Sequence, residues 1–184
     1  MRSLGLISFF ALSISAPALA RTPPAIPDPK QYPVETIFKG TPAVPILDTK
    51  HARYYQTRIL EGAKAGPNFA GHYTVVSWGC GMASFDFVVI DTITGKVYSS
   101  PERCITYSIA YDLPIEDVLM GHPGFKLDSK LLLTIGLKDG DPANGEGKAT
   151  MYLFDEGKFK VIYRVPAPFP RIDISDEPTK PIGH

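Results

Sequence analysis

The sequence predicts a mainly β, β-rich α+β domain: about six antiparallel strands in two three-stranded meanders, one flanking N-terminal helix and Pro-rich extended termini. Three observations carry that expectation. Short runs of β-branched and aromatic residues recur in both halves of the chain, each bounded by Gly, Pro, Asp or Asn. The 16 Gly and 18 Pro in 184 residues favour turns and short strands over long helices. One stretch only, Thr49 to about Ala63, combines good helix formers with an amphipathic spacing.

In chain order, residues 1–20 read as a secretory signal peptide. Arg2 supplies the positive start, Leu4 to Ile14 the apolar run, and Ala18-Leu19-Ala20 the small-residue site, so cleavage is expected after Ala20. The apolar run, roughly eleven residues, is too short to span a bilayer as a helix. The expected location is therefore the periplasm or the medium, with no membrane insertion. Residues 21–47 form a Pro-rich extended leader, and residues 48–165 a single β-rich domain. Asp48 is the expected N-cap of the helix, and Ala52, Tyr55, Ile59 and Ala63 its buried stripe. Strands are expected over Tyr73–Trp78, Ser84–Asp91 and Lys96–Ser99, the last two joined by the turn Thr92-Ile93-Thr94-Gly95.

Asp112 and Pro114 open a one- or two-turn helix through Leu119. Strands resume over Leu131–Leu137, Ala149–Asp155 and Lys158–Val165, with the hairpin turn at Asp155-Glu156-Gly157. In the last strand Phe159, Val161, Tyr163 and Val165 are expected inward, and Lys158, Lys160 and Arg164 outward. Gly95-Lys96-Val97-Tyr98 and Gly157-Lys158-Phe159-Lys160 occupy matching places, which suggests a duplicated unit. Residues 166–184 form a second Pro-rich extended tail.

Charge and composition exclude several classes. With 19 basic and 19 acidic side chains the formal net charge is zero, and the electrostatic attraction that nucleic acid or an anionic membrane needs is missing. The four His and two Cys show no pair at metal-ligand spacing, so neither metal nor cofactor is expected. Asp139 to Gly145 resembles a calcium loop but has Ala143 where a ligand is required.

Cys80 and Cys104 are the only cysteines. In an oxidising compartment they are expected to form a disulfide. The alternative is chemical, with Cys80 as nucleophile and His72 as its base. Ser77-Trp78-Gly79-Cys80 echoes the catalytic segment of L,D-transpeptidases, yet Met82 stands where that family has Arg. On one extended strand His72 and Cys80 would be about 26 Å apart. Asn68, His72 and Trp78, in the Gly-rich stretch Gly66 to Gly81, are the candidate binding residues.

Asn68-Phe69-Ala70-Gly71-His72-Tyr73, Trp78-Gly79-Cys80-Gly81 and Thr94-Gly95-Lys96-Val97-Tyr98 resemble motifs of a set of uncharacterised proteins exported by Gram-negative bacteria. The resemblance covers about Arg53 to Tyr163 and implies location rather than activity. The expected function is a non-enzymatic periplasmic binding or inhibitor-type protein whose partner is an envelope or secreted protein. A cell-wall cysteine enzyme using Cys80 and a structural envelope component are the alternatives. Composition leaves the oligomeric state open.

Overall fold

The computed structural model describes residues 25–81, 84–106, 123–136 and 147–166. The expected signal peptide, the helix expected after Asp112, the loop expected over Asp139–Gly145 and the extended tail expected beyond Pro166 lie outside the described residues. Two short helices, α1 (Lys50–Tyr54) and α2 (Gln56–Ala63), precede the strands β1 (Tyr73–Gly81), β2 (Ser84–Asp91), β3 (Val97–Ser99), β4 (Ile105–Thr106), β5 (Gly124–Phe125), β6 (Leu131–Gly136), β7 (Lys148–Asp155) and β8 (Lys158–Pro166). The fold is mainly β, as the sequence predicts. Each expected meander gains one short strand. β4 pairs with β2 beside β3 in the first sheet, and β5 pairs with β6 in the second, whose order is β5-β6-β7-β8. All of these strand pairs are antiparallel.

The alternation of side chains along each strand builds three layers. Tyr73, Val75, Phe85, Phe87 and Val89 point from the first sheet onto Leu132, Tyr152 and Phe154 of the second, forming the central core. Trp78, Val88, Ile90 and Val97 face the other way and are covered by Ala52, Ile59 and Ala63 of the helices. The outer face of the second sheet, with Leu131, Leu133, Ile135, Ala149 and Met151, is covered in part by Ile26 and Tyr32 of the leader. β2 is buried on both faces because helices and the second sheet sandwich it, which explains its nearly unbroken apolar run.

The leader is docked against the domain. Its backbone bonds from Val34 to Asp128, Phe38 to Gly71, Ala43 to Thr92 and Ile46 to Gly95, and Ser129 Oγ donates to the Pro29 carbonyl. Prolines remove donors along this path, so the remaining N–H groups make the attachments.

Three details correct the sequence reading. The helix is capped by Thr49 rather than Asp48, because the Thr49 hydroxyl accepts the Ala52 N–H at 3.0 Å. It breaks at Tyr55 into α1 and α2 instead of running through. In β8, Val161 is 43% exposed: a register shift leaves Ile162 unpaired between Val161 and Tyr163, so the inward phase changes there. The two hairpin turns share a left-handed glycine but not a length: Glu156 and Gly157 join β7 to β8, whereas residues 92–96 join β2 to β3. Gly95 (φ 76°) and Gly157 (φ 77°) both adopt the left-handed conformation that glycine takes without strain.

Candidate functional site

Among the polar residues of β2, Asp86 is the one that points toward the helices in the middle of the strand. It is 2% exposed, and His51 of α1, 8% exposed, meets it from above. His51 Nε2 lies 3.0 Å from Asp86 Oδ2. The other carboxylate oxygen accepts the Phe87 N–H at 2.8 Å and lies 2.8 Å from Ser100 Oγ. His51 Nδ1 is 3.5 Å from Ser99 Oγ, and its ring packs at 5.1 Å from Tyr55 and 5.8 Å from Trp78. A carboxylate this deep requires such partners, because a buried charge without them costs several kcal/mol, on the order of 3 or more.

The pair floors an open depression of about 380 Å³ lined by Lys50, His51, Tyr54, Tyr55, Asp86, Arg103 and Cys104. Local sequence builds its walls. Thr49 starts α1, placing Lys50 and Tyr54 at the rim one turn apart. Arg53 donates to the carbonyls of Leu47 and Asp48, fixing the chain as it enters the helix. On the opposite wall the Cys80–Cys104 disulfide ties the segment after β3 to β1, with Cα atoms 5.9 Å apart. Glu102 of the same segment faces Arg164 of β8 at 3.6 Å. Cys104 itself has φ 44°, a conformation that is costly for a residue with a Cβ. Lys50 and Arg103 make no ion pair among the described residues, and both line the depression.

Ser99, His51 and Asp86 are the residue types of a hydrolytic triad, but their placement suits a strut. Ser99 does not line the depression, its contact is 3.5 Å, and His51 is enclosed by Tyr55 and Trp78. A nucleophile has to face the substrate and hand its proton to the base.

The residues singled out from the sequence fall elsewhere or play structural parts. Asn68 uses its side-chain amide to bond both main-chain groups of Val75: Oδ1 accepts the N–H at 2.7 Å and Nδ2 donates to the carbonyl at 3.1 Å. Trp78 is 4% exposed and lies against Tyr55 at 4.5 Å, in the core under the helices. His72 precedes the far end of β1, stacked on Tyr73 at 4.0 Å with Nε2 4.0 Å from Asp91 Oδ1. Burial, then the charges of Asp91 and its acidic neighbours, push the Tyr73 phenol up to about 12. Cys80 lies at the other end of β1, its sulfur bonded to Cys104. It therefore carries no thiolate, and the length of an extended strand, about 26 Å, separates it from His72. No cluster of three or more His, Cys, Asp or Glu able to hold a metal occurs among the described residues.

Sequence reasoning missed His51, Asp86, Lys50 and Arg103. One signal was present. Asp86 interrupts the apolar run of β2, and a carboxylate in a strand covered on both sides implies a buried partner. Comparison of the chain with known protein families, curated proteins and solved structures finds no match.

Proposed function

We propose that the chain is an exported, non-enzymatic binding domain that captures an acidic group of a partner protein in the depression above His51 and Asp86. One observation carries the reading: Lys50 and Arg103, which make no ion pair among the described residues, line a concave site together with a buried, hydrogen-bonded His51–Asp86 pair. Such a floor presents no reactive atom, whereas the rim offers a guanidinium with its fork of donors and a flexible ammonium. Tyr54, 80% exposed beside them, adds a rigid aromatic of the kind enriched at protein interfaces. The disulfide and the N-terminal signal-like segment support export, where an envelope or secreted protein is the available partner.

The test is retention of a partner from periplasmic extract by the immobilised protein. The double variant Lys50→Glu/Arg103→Glu should lose that partner, while Arg58→Glu on the exposed side of α2 should keep it. Equal retention by both variants would end this assignment of the site.

A further inference from the structure

A second depression, of about 470 Å³, lies between the leader and α2. Residues 41–45 form one wall. Leu60, Ala63 and Lys64 form the other, at the spacing that puts them on one stripe of the helix. The leader wall is fixed in place. The Ala43 N–H donates to the Thr92 carbonyl at 2.8 Å and the Ile46 N–H to the Gly95 carbonyl at 2.7 Å, and a Cβ on Gly95 would overlap the Val44 carbonyl. The groove is therefore formed before any ligand enters it.

Its walls are apolar from Pro42 to Pro45 and at Leu60 and Ala63, and Lys64 alone among the lining residues is charged. The leader wall is unsuited to pairing with a peptide strand, because Pro42 and Pro45 have no N–H and those of Ala43 and Ile46 are already bonded. What can hold a ligand here is apolar contact along both walls and one ammonium at the helix end. That ammonium is not needed to close the helix: the last carbonyls of α2 accept from the N–H groups of Lys64, Ala65 and Gly66, each at 3.2 Å. Val44 is 77% exposed, and Ile46 at 51% and Ile93 at 55%, on the leader and on the turn it crosses, extend the apolar surface beyond the groove. Contiguous apolar surface of this kind marks interaction sites.

We propose that this groove binds a small anionic amphiphile, an unbranched alkyl carboxylate, with its chain between the leader and α2 and its carboxylate on Lys64. Charge complementarity selects the head group, and a mostly apolar cleft with one orienting polar group is the ordinary form of a small-molecule site. A lysine at a helix C-terminus also acts favourably on the helix dipole. That role needs no apolar walls and sets no ligand preference, so a ligand of reversed charge separates the two. The proposal goes beyond the reading of the His51 depression and uses none of its residues, so either can fail alone.

The experiment titrates the full exported chain with hexanoate, octanoate and decanoate below their micellar concentrations, followed by calorimetry and by amide chemical shifts. Affinity should rise about two- to fourfold per added methylene, with the shifts centred on Val44 and Lys64. At low salt octanoate should bind roughly tenfold more tightly than octylammonium, which has the same chain and the opposite charge. Lys64→Glu should invert that preference, Lys64→Arg should retain it, and Val44→Asn should weaken both ligands alike. The proposal is overturned if no alkyl carboxylate binds, if Lys64→Glu leaves the preference unchanged, or if the shifts map elsewhere. Binding abolished by Lys50→Glu/Arg103→Glu would place the carboxylate in the depression over His51 and overturn it equally. So would binding to phosphatidylglycerol vesicles without binding to octanoate, which would make this face a membrane contact.

Discussion

His51 Nε2 and Asp86 Oδ2, 3.0 Å apart and both nearly sealed from solvent, join the helical layer to the centre of the first sheet. The pair spans 35 residues of sequence and holds the floor of the candidate site in place. Its position makes it a buried polar tie between the helices and the first sheet.

Asp86→Ala removes the acceptor for His51 and for the Phe87 N–H, along with a partner of Ser100. Loss of about 3 kcal/mol or more is expected in urea denaturation, the usual scale for stranding buried polar groups. Asp86→Asn keeps one carbonyl acceptor for Phe87 and should cost less. Equal, near-zero effects for both would show that the pair is not a stabilising tie.

Asn68→Ala strands the N–H and C=O of Val75 at the sheet edge. The expected loss is about 1–2 kcal/mol, with faster exchange of the Val75 amide. Asn68→Asp keeps the acceptor and loses the donor, so exchange at Val75 should remain slow while some stability is lost. Exchange at Val75 unaffected by Asn68→Ala would refute the amide bridge.

The Cys80–Cys104 bridge spans a sequence separation of 24. Closing a loop of that length stabilises by about 3.5 kcal/mol in the chain-entropy model. The Cys80→Ala/Cys104→Ala variant should therefore denature at clearly lower urea concentration than the oxidised protein. It should also lose order in the Arg103 wall of the depression, read as faster amide exchange from 102 to 104. A variant as stable and as protected as the parent would mean that the wall is held by Ser100 and Glu102 alone.

Alkaline pH is expected to destabilise the fold between about pH 10 and 12. Tyr73 is held protonated up to about 12 in the native state, against an ordinary value of 10.0. The unfolded phenol ionises first, so its stabilising contribution is complete below pH 10 and is lost as pH rises toward 12. Burial raises Tyr98 and Tyr152 in the same direction. Tyr73→Phe should flatten part of the pH dependence of the denaturation midpoint, and an unchanged slope would exclude Tyr73 as a source.

The strand boundaries were legible because patterning and turns act locally. Ser84–Asp91 was expected with the bounds it has, and Asp91 explains the following turn: its carboxylate accepts from the N–H groups of Ile93 and Thr94 and from the Thr94 hydroxyl. The central core was legible for the same reason, through alternate apolar residues. The helix cap at Thr49 and the phase change in β8 were not, since one hydroxyl rotamer and one bulge decide them.

By itself, the sequence determined the β-rich class, the placing of most strands and turns, and the availability of two cysteines for one bridge. These follow from propensity, periodicity and count. Tertiary structure alone decided that Trp78 is core, that Asn68 mends a sheet edge, and that His51 meets Asp86 under a cationic rim. Those outcomes depend on which faces of α1, β1, β2 and the Ser100–Cys104 segment are brought together. Contacts between residues 35 positions apart have no periodic signature in the chain; they exist only once the layers have packed.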